Sequence, residues 1–368
     1  MRFVRTDELK KGMRLAKPIY NKNGVLLYDR DTKLTKQGIS SIKNFKLIGI
    51  YILEPAEPLP PMSEDDVEYE RFQTMSVFAL KEAMDEMRAG NKPTNIYNLV
   101  KMIIKKYAKR SDKVNVLQNV RSEDDYVYKH GINIATLSAL VGARLRISVE
   151  DMRDMVTAAL VHDLGRLYID PMILAKESYD EEDRKHMINC EALGNKELQE
   201  MPFFNENVRK MLEQKYTLQT DESIGAKDKP FSECARILQV VEKYDDMTAM
   251  KLGVEPTSDV VAIRELLGNM EKYDEFVVAA LMDSLKILTP GVCVELNNHH
   301  SGIVIRGNNE NVLRPLILCF NDNQLYNFQE ENVAAVLNIK DVMKTMDKRI
   351  KIDQATIDEY MRRYNSLI

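Results

Sequence analysis

The chain has no tryptophan, only five histidines and only four cysteines in 368 residues. Cys190, Cys234, Cys293 and Cys319 stand singly, and no two make a CxxC pair. That spacing excludes a zinc ribbon and a thioredoxin-type site. Scattered thiols fit the reducing cytoplasm better than a disulfide framework, so a cytoplasmic protein is expected. No apolar run is long enough for a signal peptide or a membrane span. Positive charge is not in excess either: the net charge is −5 and the isoelectric point is near 5.8. This excludes a general basic surface for nucleic acid. Lysine and arginine are spread along the chain, so a local anion pocket stays open. No repeat of fixed period is visible.

What is present suits a protein of two or three domains with real cores, since 44% of residues are hydrophobic and 30% charged. Residues 1–55 hold short β-type runs around Val25-Leu26-Leu27 and Ile50-Tyr51-Ile52, with a short helix between them. This is an N-terminal α+β module. Pro55, Pro58, Pro60 and Pro61, with acidic neighbours, mark residues 56–64 as a linker. Residues 65–288 are helical by period. Val77, Leu80, Met84 and Met87 form one apolar stripe, and Ile134, Leu137, Leu140 and Val141 belong to another. After Thr289-Pro290-Gly291 the period falls to two, and residues 289–338 read as a small β-barrel-like domain. Residues 339–368 read as a charged amphipathic helix.

One local pattern carries chemistry. An apolar helical run enters His162-Asp163, and Gly165 follows. An imidazole and a carboxylate side by side can both face one divalent metal, but two ligands do not hold a catalytic ion. His130, upstream in another apolar segment, is a candidate third. The alternative is a buried hydrogen-bonded pair that caps its helix without metal. His130 could equally be a core histidine.

The helical middle resembles the HD-GYP branch of the HD phosphohydrolases over roughly residues 120–285. The resemblance is carried by His130-Gly131 and by His162-Asp163-Leu164-Gly165-Arg166 continuing through Pro171, Ile173, Leu174 and Lys176. It is also carried by Ala235-Arg236-Ile237 continuing to Tyr244-Asp245-Asp246-Met247-Thr248. The implied fold is mainly α: an HD-type helical bundle, here with small β-rich modules at the N-terminus and the C-terminus. The implied activity is hydrolysis of cyclic di-GMP by two or three metal ions, which share a bridging hydroxide and neutralise the phosphate.

The chain departs from the family pattern where the metals would sit. The third ligand histidine falls on Cys190, and the later metal aspartate falls on Glu242. The adjacent histidine pair falls near Gln214-Lys215, and no histidine lies between His186 and His299. The GYP triplet is absent. The lysine after the HD pair is Arg166, and a ligand-binding arginine falls on Lys251. Glutamine is a weak ligand, and Lys215 would bring a positive charge into the site. One metal on His130, His162, Asp163 and Glu242, with Cys190 as a further thiolate candidate, remains chemically sensible: iron, manganese, zinc or nickel. The alternative is no metal at all.

Each candidate also has a plainer reading. Cys190 fits a buried thiol better than a ligand. His186, one turn earlier, fits a solvent-exposed position. Arg166 and Lys176 could meet a phosphate, but pairing with nearby acids is favoured. Asp245 and Asp246 could add a carboxylate or line a solvated helix face. His299-His300 reads as a hairpin turn. The reading that follows is a catalytically degenerate HD-GYP-like protein of bacterial cyclic-dinucleotide signalling, a sensor or interaction module with protein partners. Asp163 and Arg166 would be the catalytic remnant, and Arg166, Lys176 and Lys251 the ligand contacts. The alternatives are an active phosphodiesterase with an altered ligand set, and a partner-binding protein acting through its β-rich flanks.

Overall fold

Short apolar runs in residues 2–53 build small antiparallel sheets beside one helix. The computed structural model describes residues 2–44, 49–53, 64–114, 121, 125–174, 176, 178–221, 224–225, 231–249, 256–342 and 362. Strands β1 (Arg2–Arg5), β2 (Arg14–Leu15), β3 (Ile19–Tyr20) and β4 (Leu26–Tyr28) precede helix α1 (Lys36–Asn44) and strand β5 (Gly49–Leu53). β5 lies between β1 and β2, antiparallel to both, and β3 pairs with β4. Val4, Leu15, Leu34, Ile42, Ile50 and Ile52 close a core of their own. The proline-rich segment expected as a linker falls mostly on residues 54–63, outside the described residues.

The helices follow. They are α2 (Glu64–Arg88), α3 (Ile96–Ile103, continued by a π turn, Ile104–Ala108), α4 (Tyr126–Arg144) and α5 (Val149–Val161). A 3₁₀ turn (Leu164–Tyr168) and the single turn α6 (Pro171–Leu174) lead to α7 (Glu181–Glu200) and α8 (Glu206–Thr220). Then come α9 (Glu233–Thr248), α10 (Asp259–Gly268) and α11 (Glu275–Ser284). α4 is central and is buried along nearly its whole length, packed on α2, α5, α9 and α11. This matches its sequence, which is apolar or small on every face. Side chains of Ser148, Asp180, Asn205, Ser232, Ser258 and Asp274 accept backbone N–H bonds at the helix starts. Each such cap contributes about 1 kcal/mol. No helix among the described residues is long and apolar enough to cross a membrane.

Two glycine contacts set the geometry of the HD turn. A Cβ at Gly131 would stand 2.8 Å from the Leu160 carbonyl, so α4 and α5 approach as glycine allows, next to His130. A Cβ at Gly194 would stand 2.3 Å from the Cα of Gly165. α7 therefore lies with its backbone against the turn that follows His162-Asp163.

The C-terminal part holds β6 (Cys293–Leu296), β7 (Ser301–Arg306), β8 (Leu316–Cys319), β9 (Leu325–Asn327), the turn α12 (Glu331–Ala334) and β10 (Ile339–Val342). They form one antiparallel sheet in the order β10-β6-β7-β8-β9. Residues 339–342, expected to begin a helix, are instead a strand, because Ile339 and Val342 complete the edge of β6. Apart from Arg362, the rest of the expected helix lies outside the described residues. One face of the sheet, with Val294, Leu296, Val304 and Ile317, joins the core of the helical bundle. The other face gathers Cys293, Ile303, Ile305, Leu316 and Leu318 in a separate cluster. The sheet thus docks on the bundle through one face.

Candidate functional site

Four elements converge on one buried point. α4 supplies His130, the end of α5 supplies His162, the turn after it supplies Asp163, and α9 supplies Glu242. One donor atom from each lies within 4.8 Å of all the others. The two imidazole Nε2 atoms are 3.3 Å apart. His130 Nε2 is 3.7 Å from Asp163 Oδ2, and His162 Nε2 is 3.5 Å from Asp163 Oδ1. Glu242 Oε1 is 3.9 Å from His162 Nε2.

The far side of each ring fixes its tautomer. His162 Nδ1 lies 2.9 Å from the Ala159 carbonyl oxygen, which accepts hydrogen bonds and cannot donate, so Nδ1 carries the proton. His130 Nδ1 lies 2.7 Å from Asp245 Oδ2. An unprotonated nitrogen there would set two lone pairs against each other, so His130 also carries its proton on Nδ1. Both Nε2 atoms then point into the cluster. A carboxylate or carbonyl behind each imidazole is the usual support of metal-ligating histidines.

Asp245 is held in turn by a buried network. Arg121 donates to both of its oxygens at 2.6 Å, and the Asn133 amide donates to Oδ1 at 3.2 Å. Tyr69 and the Gln73 amide donate to the Asn133 oxygen. Burial alone would raise the Asp245 carboxyl. Arg121 and His130 outweigh it and hold it far below the ordinary carboxylate range.

The charges around the cluster set its titration. Burial, then the charge of Lys215, pushes the His162 imidazole down to about 3. Burial also opposes charge on His130, but Asp245 and Asp163 outweigh it and raise the group above its ordinary value. Burial likewise opposes charge on Asp163, yet His162, His130, Lys215 and Arg166 hold it well below the usual range. Burial raises Glu242 to about 6 against the pull of Lys215.

The cluster admits a metal on its own geometry. Two imidazole Nε2 atoms 3.3 Å apart share a cation between them, either a proton or a metal ion. Two imidazole nitrogens about 2.0–2.1 Å from one tetrahedral ion sit about 3.4 Å from each other. Lys215 is the feature against a second ion. Its ammonium donates to Glu242 Oε1 at 2.8 Å and to Gln219 Oε1 at 2.7 Å, and it is buried. Gln214 turns away: its side-chain oxygen accepts from the Ser232 backbone and hydroxyl at the start of α9.

The other sequence candidates are placed as follows. The Arg166 guanidinium lies over the Tyr126 ring, 4.3 Å from its centroid. Lys176 does not reach the cluster; it pairs with Asp183 at 2.6 Å. Cys190 is buried but is not one of the converging donors; its sulfur lies 3.5 Å from His186 Nε2. His186, expected to be exposed, is half-buried against that thiol. Lys251 lies outside the described residues. Arg121 and Asn133 were not singled out from the sequence. Arg121 follows no periodic pattern, and Asn133 reads as one polar residue on a buried helix, one turn from His130.

Little free space adjoins the cluster. A cleft among His162, Asp163, Arg166, Glu191, Lys215 and Tyr216 encloses about 10 Å³. That is roughly room for one water. A cavity of about 1010 Å³ lies elsewhere, between Tyr69, Tyr107 and Arg110 of the bundle and Asn308, Asn309 and Val342 of the sheet module.

Residues 97–277 match the family described as HD domain. The chain is 19% identical over 216 residues to the cyclic di-GMP phosphodiesterase PA4108 of Pseudomonas aeruginosa, a match covering 55% of this chain and 50% of that protein. It thus spans about half the length of the curated relative it matches. Among solved structures, Bd1817, an HDG"Y"P protein from Bdellovibrio bacteriovorus, superposes with a TM-score of 0.44 at 15% identity. That superposition covers 76% of this chain and 97% of the other.

Proposed function

We propose that the chain is an HD-GYP-like HD-domain protein that serves bacterial cyclic-dinucleotide signalling as a cytoplasmic sensor or interaction module that has lost turnover. It holds one divalent metal on His130, His162, Asp163 and Glu242. Two imidazoles and two carboxylates suit iron, manganese, zinc or nickel. Such an ion supplies Lewis acidity toward a phosphate oxygen. Arg166, beside Asp163 and stacked on Tyr126, gives a fixed positive charge for a phosphate at the mouth of the site.

The observation that carries this reading is the Lys215–Glu242 ion pair. Two-metal cleavage needs imidazole and carboxylate donors on both ions. Lys215 stands where the family's histidine pair would come, and a buried ammonium has no lone pair to give. Its charge also repels a second cation. Among the described residues the cleft beside the donors has room for about one water, so a dinucleotide would meet Arg166 from outside it. The relative's activity supports cyclic di-GMP, or another cyclic dinucleotide, as the ligand class. Protein partners then read the bound state.

The test combines elemental analysis of the purified protein with binding and hydrolysis assays on cyclic di-GMP. The reading expects binding, with absent or very slow hydrolysis. Robust turnover with added manganese or iron, abolished by His162→Ala, would overturn it in favour of an active phosphodiesterase with an altered ligand set.

A further inference from the structure

The His299-His300 turn has a role that a plain hairpin does not require. The β6–β7 turn, around Asn298–His300, and the β8–β9 turn, around Phe320–Gln324, lie side by side at one end of the sheet because β7 and β8 are antiparallel neighbours. The backbones tie the turns together. Phe320 N–H donates to the Ser301 carbonyl at 2.8 Å, and Ser301 N–H donates to the Asn321 side chain at 3.0 Å. His299 and Asn323 adopt φ of 64° and 57°, the left-handed conformation that bends each turn sharply.

Those bends bring three donors together that the sequence keeps apart. His300 Nδ1 is 3.7 Å from Cys319 Sγ. One donor atom each from His300, Cys319 and Asp322 lies within 4.8 Å of the other two. Asp322 is oriented from behind: its Oδ2 accepts from the Tyr326 hydroxyl at 2.7 Å and its Oδ1 from the Gln324 N–H at 3.0 Å. Such support behind a carboxylate is typical of metal ligands.

We propose that His300, Cys319 and Asp322 form a zinc site at the end of the C-terminal sheet, separate from the HD cluster. The geometry agrees. With Zn–S near 2.3 Å and Zn–N near 2.0–2.1 Å, tetrahedral angles put sulfur and nitrogen about 3.6 Å apart. A thiolate, an imidazole and one carboxylate select zinc over calcium or magnesium, which take oxygen ligands. On binding, the Cys319 thiol loses its proton to solvent and a Zn–S bond replaces the S–H bond. Asp322 is exposed, so the fourth position faces water and stays open to a solvent molecule or an anionic ligand. The ion would clamp two turns at one end of a sheet that packs on the bundle, so it stabilises the module that docks there.

Cobalt titration of the chelator-treated full-length protein tests this, because only a thiolate-bound cobalt gives an intense near-ultraviolet charge-transfer band. The proposal expects one equivalent of that band at micromolar cobalt, displaced by zinc. The band is lost in Cys319→Ser and His300→Ala. It is unchanged in His162→Ala, which removes a donor of the thiol-free HD cluster, and in Cys190→Ser. Asp322→Asn, an exposed change that leaves the fold intact, weakens cobalt binding at least about tenfold. Wild-type protein without the band overturns the proposal, and so does a band that survives Cys319→Ser.

Discussion

His130 and His162 face each other across 3.3 Å through their Nε2 atoms. Asp245 and the Ala159 carbonyl hold the opposite nitrogens as donors. Rotating either ring would break one of those buried hydrogen bonds, at about 1–3 kcal/mol for the orphaned partner. The pair is therefore set in place to share a cation, whichever cation is supplied.

That geometry sets a metal count. One divalent ion per chain is expected at this cluster, lost in His130→Ala or His162→Ala. Anomalous scattering from crystals grown with manganese or iron reads it directly. Two or three ions there would contradict the role given to Lys215.

Lys215 should matter for stability as well as for metal count. Lys215→Met leaves the Glu242 carboxylate buried without its ammonium partner. Breaking such a pair costs about 3 kcal/mol, and replacing both partners by apolar residues costs much less. Chemical denaturation of Lys215→Met alone and together with Glu242→Leu measures this. If the double variant is less stable than the single one, the ion pair is not what holds this part of the bundle.

Asp245→Asn keeps the shape of the side chain and removes the charge that Arg121 and His130 share. The variant should lose stability, because the buried Arg121 guanidinium and the His130 imidazole lose the carboxylate they share. Metal affinity at the cluster should fall about 10–100-fold, since the imidazole loses its supporting carboxylate. Calorimetry gives both quantities, and an unchanged affinity would separate Asp245 from the site.

The start of α7 should show its own pH dependence. The hydrogen bond from Lys176 lowers the Asp183 pKa, and the same bond raises that of Lys176. A lowered carboxylate contributes stability above its unfolded value near about 4, and this is lost as pH falls through the folded value. A raised lysine contributes below about 10.4, and this is lost as pH rises beyond it. Amide exchange at Asp183 and Arg184 should thus be slowest, after correction for intrinsic rates, between those limits. Asp183→Asn should flatten the acid limb.

The sequence by itself determined much of this protein. Apolar period 3.6 through α2, α4 and α11 and period 2 after Pro290 gave the layering, because those periods are what each backbone needs to bury one face. The HD pair and His130 were legible as candidate donors, and the family resemblance added Glu242; the fold brings all four together. Tertiary structure alone decided the rest. Asp245 and Asp246 read alike, yet successive residues on a helix point about 100° apart, so one is buried on Arg121 and the other faces solvent. Gln214 and Lys215 were equally candidates for the lost histidine pair, and helix rotation sent only Lys215 inward. Residues 339–342 became a strand because β6 offered an unpaired edge, a long-range partner that no local period encodes. His300, Cys319 and Asp322 met because two turns happen to lie on neighbouring strands. In each case the deciding contact joins residues far apart in the chain. Burial of polar groups is then settled by which partners the fold brings within hydrogen-bonding reach.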